Sequence, residues 1–503
     1  MFDLIIVGAG STGCVIANRA SEDPNLNMLL IEAGPDYEKL NETPFDLTNG
    51  NNNSYSKHDW SLRYQPTSNR ESPLPRGRVT GGSSAVNTTI ALRGMPEDYD
   101  EWASLGNSLW SWDKVLPSFK RLERDLDFYD KDYHGDAGPI TIRRYPKNEL
   151  LAQHQSFLDT ADQLGYPNCP DANDPDSFGA GPQPMNKLGR LRVSCAIGYL
   201  APARLRDNLT IQANTHVRRL IIENKKCVGV EVEMSDGEVK MIKATTTVLS
   251  AGAIMSPAIL MRSGLGPRKQ LEHHGIDLIE DIQGIGQNLS DHPAISVIAE
   301  VDHKVDYDSP LIQTILRYTA PGSEKRNDLQ IELLSFIPGE KPQIGIAAVL
   351  EYQYGRGEVS LQSADPAIAP RIENRFCEND KDLSRLVSCY KEAIAFTKQK
   401  PLADRIKQIT FPNPQRATTD EDLSSLCRKY SASGYHPCGT VKMGNDPLSV
   451  VDQYGRFHLV DNLVVADASI MPFVPSANIN LTCIMMGERI GEWIRTQKST
   501  YGL

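Results

Sequence analysis

Three glycines near the start of the chain have the spacing of a phosphate-binding turn. They are Gly8, Gly10 and Gly13, and Glu32 follows about twenty residues later, as in dinucleotide-binding folds. Gly8 permits a tight turn, Gly10 lets backbone N–H groups approach a pyrophosphate, and Gly13 lets helix and strand pack closely. The Glu32 carboxylate can accept hydrogen bonds from a ribose diol and would repel a 2′-phosphate, which disfavours NADP. The pattern therefore predicts a dinucleotide site.

A second glycine-rich stretch carries two basic side chains. It reads RGRVTGGSSAVN over residues 76–87, and we expect a helix over Ala85–Leu92 to follow its serines. Adjacent glycines and serines before a helix suit an anion, and Arg76 and Arg78 add positive charge. A solvated basic turn is the alternative interpretation.

His436 is the histidine best placed in the sequence to act as a base. It lies in the run SGYHPCGT over residues 433–440. An imidazole has an unperturbed pKa of about 6.5 and can take an alcohol proton at neutral pH. Segments 87–91 and 472–481 could supply a surface for a flavin ring, and Trp60 in a polar loop could pack on a cofactor edge or only anchor that loop. We interpret the following histidines as structural: His58, His154, His273, His274 and His458.

The elements around the first turn predict a parallel sheet with helices. Apolar runs indicate strands at Phe2–Val7 and Met28–Ile31, with a helix at Cys14–Ala20 between them. Further strands and helices are expected before residue 293 and after residue 426. They are strand Gly138–Arg143, helix Asn148–Gly165, a hairpin of Val228–Met234 and Val239–Ile242, a separate strand Thr247–Ala251, helix Gly252–Arg262, strand Leu463–Asp467 and helix Thr482–Arg495.

The pattern changes between Ala294 and about Ser425. Alternating apolar and polar residues there predict an antiparallel sheet followed by helices. The predicted elements are strands Ala294–Val301, Asp328–Phe336, Gly345–Tyr352 and Gly357–Leu361, and helices Asp380–Gln399 and Thr419–Tyr430. We therefore predict an α/β protein, α+β overall. A Rossmann-like FAD-binding domain takes residues 1–150, 190–293 and 426–503, and a substrate domain takes residues 151–189 and 294–425.

Composition excludes several classes of function. A net charge of −11 gives no electrostatic footprint for nucleic acid. No apolar run reaches transmembrane length, and the first turn begins so near Met1 that we expect no signal peptide. The nine cysteines lack a C-x-x-C pair, which favours a reducing, cytoplasmic setting. We find no metal-ligand spacing and expect no metal.

Several separated stretches together resemble the glucose–methanol–choline (GMC) flavoprotein oxidoreductases, nearly from end to end. The stretches are 8–13 with 32–34, 76–87 continuing to 93–99, 252–266, 288–293 (NLSDHP), 363–366, 436–444 and 467–488. The resemblance implies an enzyme of the alcohol oxidase or dehydrogenase branch. Such an enzyme oxidises a small-molecule alcohol to an aldehyde or ketone by hydride transfer to flavin N5, and passes the electrons to oxygen or another acceptor.

The resemblance also implies roles for individual residues. His436 matches the catalytic base, and Asn480 matches the second active-site residue, which would hold the same alcohol oxygen. FAD should be noncovalent, because Val86 stands where some members carry a linking His. The residues expected to bind the cofactor are Gly8, Gly10, Ser11, Thr12, Gly13, Glu32, Ala33, Trp60, Val79, Asn87, Thr88, Thr89, Ile90, Val217, Tyr435, Asp467, Ala468, Asn480 and Leu481.

Departures from the family pattern leave alternatives open. Thr88 stands where a glycine is common, the run Leu481-Thr482-Cys483 is unusual, and Gly434 replaces a bulkier residue that several oxidases have, which leaves the electron acceptor open. A redox-silent FAD-containing lyase, similar to hydroxynitrile lyases, is the alternative function, and a nonenzymatic dinucleotide-binding protein would leave His436 and Asn480 unexplained. Because residues 294–425 contain no Trp, no aromatic cage for a quaternary ammonium is evident, and we favour a small primary alcohol of aromatic or furanic type.

Overall fold

The computed structural model describes residues 1–68, 70–302 and 304–503. Its strands are β1 (Phe2–Val7), β2 (Met28–Ile31), β3 (Leu62–Thr67), β4 (Arg70–Leu74), β5 (Glu123–Asp125), β6 (Ile140–Ile142), β7 (Gly179–Pro182), β8 (Lys187–Leu188), β9 (Leu191–Arg192), β10 (Leu209–Gln212), β11 (His216–Glu223), β12 (Lys226–Glu233), β13 (Val239–Leu249), β14 (Leu265–Gly266), β15 (Glu280–Asp281), β16 (Pro293–Val301), β17 (Thr314–Tyr318), β18 (Leu329–Leu334), β19 (Gln343–Leu350), β20 (Glu358–Ser360), β21 (Arg371–Glu373), β22 (Ile406–Phe411), β23 (Ala432–Ser433) and β24 (Leu463–Val465). Its α-helices are α1 (Ser11–Ala20), α2 (Phe45–Thr48), α3 (Pro96–Ser104), α4 (Trp112–Leu122), α5 (Ala152–Gln163), α6 (Ala201–Ala203), α7 (Gly252–Arg262), α8 (Arg268–His273), α9 (Asp380–Phe396), α10 (Asp420–Tyr430) and α11 (Asn480–Thr496).

A parallel sheet forms the Rossmann-type half of the molecule, as predicted. Its strands run in the order β10-β2-β1-β13, with β24 also paired to β13. The side chains of Leu4–Ile6, which point alternately to the two faces of the sheet, are completely buried, so both faces of β1 are covered. Apolar, β-branched side chains suit such doubly covered strands. Helices α1 and α11 pack together on this sheet, closely enough that a Cβ on Gly487 would lie 2.8 Å from Val15 Cβ.

The long strand β13 replaces two predicted strands. Its first half, residues 239–243, pairs antiparallel with β12, and its second half, residues 244–249, pairs parallel with β1. The first half is largely exposed and the second is buried, so the two halves have different hydrophobic patterns. Because the hydrophobic pattern changes in the middle of the strand, the sequence predicted two separate strands here.

An antiparallel sheet forms the second half, also as predicted. Its order is β22-β16-β19-β18-β17-β7, with β23 paired to β16. Helix α9 covers one face with the buried side chains of Leu386, Tyr390 and Ala393. The sequence missed β17 and β22, and the predicted strand at 357–361 instead pairs with β21 in a separate sheet of β20, β21, β3 and β4. Strand β17 is buried at every residue, so it shows no alternation to detect.

The helix predicted over Ala85–Leu92 is wrong. Only a short 3₁₀ turn forms, at Gly82–Ala85, and Thr89 has a φ of 63°, outside the right-handed helical region. The Arg192 guanidinium donates hydrogen bonds to the carbonyl oxygens of Ala85 and Asn87, at 2.7 and 3.1 Å. The carbonyls that a helix would use internally are therefore held by a side chain from β9.

A buried charge network lies away from both sheets. His134 Nδ1 lies 2.7 Å from Glu123 Oε1, and the ligand atoms of Glu123, Asp125 and His134 all lie within 4.8 Å of one another. Although the sequence indicated no metal cluster, two carboxylates and an imidazole this close together are side chains that can bind a metal ion. Arg93 and Arg144 bond directly to Glu123 and Asp125, so guanidinium groups already neutralise both carboxylates. We interpret the cluster as structural.

The nine cysteines, all within the described ranges, are free and buried. Among the described residues, no helix combines the length and apolar character needed to cross a bilayer.

Candidate active site

A cavity of about 940 Å³ lies between the glycine turn after β1 and the face of the antiparallel sheet that α9 does not cover. A volume of this size is at the upper end for ligand sites. Sixteen of the predicted site residues lie on its wall: Gly8, Gly10, Ser11, Thr12, Glu32, Ala33, Trp60, Asn87, Thr88, Ile90, Val217, Tyr435, His436, Asp467, Ala468 and Asn480.

Four predicted site residues do not line this cavity. Gly13 lies behind the turn, where an added Cβ would be 2.0 Å from Gly8 O. Val79 packs in a small apolar cluster with Val86, and Leu481 is buried in the main core. Thr89 is fully buried, and its Oγ1 donates to Gly50 O at 3.2 Å. These residues support the wall from behind.

Glu32 is held against the glycine turn. Its Oε2 accepts from Ala9 N–H at 3.0 Å and its Oε1 accepts from Gly34 N–H at 2.9 Å. Burial raises the pKa of Glu32 to about 7, against the lowering effect of these backbone donors and of Arg78. Each carboxylate oxygen has further lone pairs, so the group can still accept from hydroxyls in the cavity.

The turn fits a bound dinucleotide. A Cβ added to Gly10 would meet nothing within 4 Å, so the backbone there is open to the cavity, whereas Gly8 has a φ of 97° and no room for a side chain. Gly82 from the second glycine-rich stretch approaches the same turn, with its virtual Cβ 2.7 Å from Gly10 Cα. Asn480 Nδ2 is buried in the cavity wall without a hydrogen-bond partner. Open backbone at a helix N-terminus together with an unpaired donor suits a pyrophosphate and an attached polar ring system.

Asp291 fixes the backbone that carries His436. Its Oδ1 accepts from His436 N–H at 2.9 Å and from His292 N–H at 2.8 Å, and its Oδ2 accepts from Ser433 Oγ at 2.5 Å. Gly434 leaves space for this arrangement, because a Cβ there would lie 3.1 Å from His292 Cβ and 3.2 Å from His436 Nδ1. The two histidines are therefore locked side by side.

The hydrogen bonds of His292 determine which ring nitrogen of His436 is free. His292 Nε2–H donates to Pro475 O at 3.1 Å, since a carbonyl can only accept. Burial lowers the pKa of His292 to about 3, so its Nδ1 is unprotonated and accepts from His436 Nδ1–H at 2.9 Å. His436 Nε2 therefore carries no proton, and its lone pair accepts a hydrogen bond from Asn478 Nδ2–H at 3.0 Å. The unprotonated nitrogen of His436 can therefore act as a base, and the Asn478 amide lies next to it on the cavity wall.

The electrostatics keep His436 neutral. Burial lowers the pKa of His436 well below its ordinary value, and His292 and Arg76 lower it further. Glu351 Oε2 lies 3.2 Å from His292 Nδ1, but burial raises the pKa of Glu351 to about 8, so it is largely protonated at neutral pH. No full negative charge therefore stabilises an imidazolium from that side.

Asn478, rather than Asn480, is the amide beside His436. Asn480 Oδ1 instead accepts from Ser11 Oγ at 3.0 Å, which places Asn480 at the glycine turn. The sequence led us to expect that Asn480 would share the alcohol oxygen with His436, and it assigned no role to Asn478. Both belong to the run SANINL, and only their different positions, before and within the first turn of α11, separate them.

Sequence reasoning also assigned no role to Glu332, which lines the cavity, or to His292, which contacts His436. His292 lay in the NLSDHP run, which was noted only as a family motif. Glu332 had no local signal, because a lone acid in a strand normally faces solvent.

Comparison with known proteins identifies the family. The N-terminal model of the GMC oxidoreductases matches residues 2–294, and the C-terminal model matches residues 353–487. An oxygen-dependent choline dehydrogenase of Escherichia coli is 32% identical over 542 aligned positions, covering 99% of this chain and 96% of that protein. An uncharacterized GMC-type oxidoreductase of Rhodococcus erythropolis is 33% identical, covering 97% of each. The crystal structure of pyridoxine 4-oxidase from Mesorbium loti superposes with a TM-score of 0.91 at 28% identity, covering 98% of both chains. The chain belongs to the GMC oxidoreductase family.

Proposed function

We propose that this protein is an FAD-dependent alcohol oxidase or dehydrogenase in which His436 is the base and Asn478 its partner. One observation carries the proposal: the unprotonated Nε2 of His436 and the Asn478 amide meet on the wall of the same cavity as the dinucleotide turn. A neutral imidazole beside an amide N–H can take a hydroxyl proton while the amide holds the oxygen. The sequence assigned the second role to Asn480, and we now propose it for Asn478.

The cofactor is FAD, held without a covalent bond. Gly8, Gly10 and Ser11 would hold the pyrophosphate, Glu32 the ribose, and the unpaired Asn480 Nδ2 a polar atom of the flavin. When bound, FAD supplies the acceptor for the carbinol hydride. Val86 is 2% exposed and offers no nucleophile at the position where a linking His would stand. Acid denaturation followed by filtration should release all the yellow colour, and colour retained with the protein would contradict noncovalent binding.

In this proposal, side chains of this protein accept the hydroxyl proton and hold the alcohol oxygen. His436 Nε2 takes the hydroxyl proton as the alcohol displaces the hydrogen bond from Asn478, whose second amide N–H remains to hold the alcohol oxygen. His436 Nδ1–H stays directed at His292 throughout, so the ring cannot turn its other nitrogen to the substrate. Arg76, half-buried beside the site, disfavours a lasting positive charge on His436 and so favours release of the proton to solvent.

The substrate in this proposal is a small primary alcohol, oxidised to an aldehyde, with electrons passed to oxygen or another acceptor. The relatives support a CH–OH substrate, since one is named as a choline dehydrogenase and another as a pyridoxine 4-oxidase. The wall opposite the turn is largely apolar, with Ile298, Leu334 and Val349 among its residues, which suits an aromatic or other apolar body.

Anaerobic mixing of the FAD-loaded protein with a panel of alcohols tests the proposal. Benzyl, furfuryl and short aliphatic alcohols should bleach the oxidised flavin, whereas the matching hydrocarbons should not. An oxygen electrode then distinguishes oxidase from dehydrogenase. A bound flavin that stays oxidised with every alcohol would contradict the proposal, and cyanohydrin cleavage without bleaching would favour the lyase instead.

A further inference from the structure

The antiparallel sheet presents an ordered array of side chains to the cavity. On the face away from α9, one cross-strand row joins Ser296, Ala347, Glu332 and Ile315. His292 immediately precedes β16 and has the same parity as Ser296, so both project from this face. Successive rows on one face are about 7 Å apart, because alternate residues share a face. The Glu332 row is therefore two rows from the His292 end, where His436 lies.

Glu332 is the carboxylic acid of this wall region. It is 8% exposed, and its Oε1 accepts from Gln330 Nε2 at 2.7 Å. Its other oxygen has no hydrogen-bond partner among the described residues, and the side chain lines the cavity. Neighbours on the wall such as Leu334 and Phe336 are apolar. Burial raises the pKa of Glu332 to about 7, and no basic side chain opposes this effect.

An acid in this position calls for a partner from outside the chain. A buried polar group without full pairing costs stability and is normally explained by a ligand, water or ion. A bound anion would be repelled, and a purely apolar ligand would leave the carboxyl group desolvated and unpaired. A protonated amine would both donate to the free oxygen and keep the carboxylate ionised.

We propose that Glu332 selects alcohols that carry a basic nitrogen at the end remote from the hydroxyl. This rests on the proposed function, since the hydroxyl is placed at His436 and the nitrogen at Glu332. The substrate class is then a primary amino alcohol with an apolar or aromatic body, long enough to span the distance between the two groups. Gln330 holds Oε1, which directs Oε2 toward the ligand.

A matched pair of alcohols tests the selectivity. 4-(Aminomethyl)benzyl alcohol and 4-ethylbenzyl alcohol have similar shapes, but only the first carries a cation. In anaerobic flavin reduction, the wild-type protein should favour the amine, and Glu332→Gln should lower that preference about 10- to 100-fold, the usual effect of a hydrogen bond to a charged group. Reduction by the neutral alcohol should change little. Glu272→Gln, on the exposed helix α8, removes a carboxylate elsewhere and should leave the preference unchanged.

A binding measurement separates this inference from the proposed function. 4-Methylbenzylamine has no hydroxyl, and its binding to the FAD-loaded protein can be followed by perturbation of the flavin spectrum. The dissociation constant should rise about 10- to 100-fold in Glu332→Gln. Amine binding that depends on Glu332 without oxidation of any alcohol would refute the proposed function but support the amine site. Equal binding by wild type and Glu332→Gln, or a wild-type preference for the neutral alcohol, would overturn the amine site.

Discussion

Replacing His436 by alanine removes the nitrogen lone pair that we propose takes the proton of the substrate. The imidazole is fixed by His292 on one nitrogen and Asn478 on the other, at 2.9 and 3.0 Å, so no other described side chain occupies its position as a base. General-base assistance is worth about 10²–10⁴ in rate, which corresponds to about 3–5 kcal/mol of activation free energy. We expect flavin reduction by a good substrate to slow by that factor in His436→Ala, while FAD remains bound.

The pH dependence gives a second readout of the same substitution. Burial, His292 and Arg76 lower the pKa of His436 below its ordinary value, so the base is neutral and active at neutral pH. The wild-type reduction rate should therefore be constant near pH 7 and fall only as acidic pH protonates the ring. This step should be absent in His436→Ala.

Stopped-flow spectrophotometry under anaerobic conditions measures both effects. The variant must first be shown to be folded, by its circular dichroism and thermal midpoint, and loaded with FAD, by its visible spectrum. Such a protein reducing its flavin at nearly the wild-type rate would refute His436 as the base. A variant that loses FAD or fails to fold would indicate a structural role, and His436→Gln, which keeps most of the volume, would then distinguish packing from proton transfer.

Three further predictions follow from the contacts of the site and of the buried charge network. Asn478→Ala should slow flavin reduction about tenfold, which corresponds to the loss of one neutral hydrogen bond, whereas Asn480→Ala should mainly weaken FAD binding. Stopped-flow reduction and cofactor titration measure the two effects, and the reverse pattern would restore Asn480 as the partner of His436. Glu32→Ala should raise the FAD dissociation constant about 10- to 100-fold in titrations of apoprotein, with loss of a charge-assisted acceptor as the cause, and an unchanged constant would argue against the ribose role. Burial disfavours the charged form of His134, but hydrogen bonds to Asp171 and Glu123 outweigh this effect and raise the pKa of His134. The charged imidazolium therefore stabilises the fold at pH values below the pKa of His134 in the unfolded chain, and this stabilisation is lost as the pH rises through its pKa in the folded chain. The difference in thermal midpoint between wild type and His134→Gln should therefore shrink at alkaline pH, and a difference that grows with pH would contradict this sign.

Much of the fold was predictable because its signals are local. The first turn follows from glycine conformational freedom at Gly8 and from apolar strands on both sides, and β1 and β2 have the predicted bounds. The antiparallel sheet was also confirmed, through the alternation in β16, β18 and β19. The domain boundaries remain a prediction, and β23 pairs with β16 although its residues lie beyond the predicted end of the substrate domain. Errors arose where a distant group overrode local preference, as Arg192 does over the predicted helix at residues 85–92.

The sequence by itself determined where the glycine turn, the candidate ribose-binding acid and the candidate base lie along the chain. Residue type and short-range spacing were enough, since a turn, a strand and an imidazole pKa range depend on few neighbours. Only the tertiary structure decided which amide meets His436, which nitrogen of that ring is free, and that Glu332 faces the cavity. His292 and His436 are 144 residues apart and Asn478 and His436 are 42 apart, so their contacts depend on how whole sheets and helices pack. Local sequence carries no measure of those distances, which is why two asparagines separated by one residue could be told apart only in the folded chain.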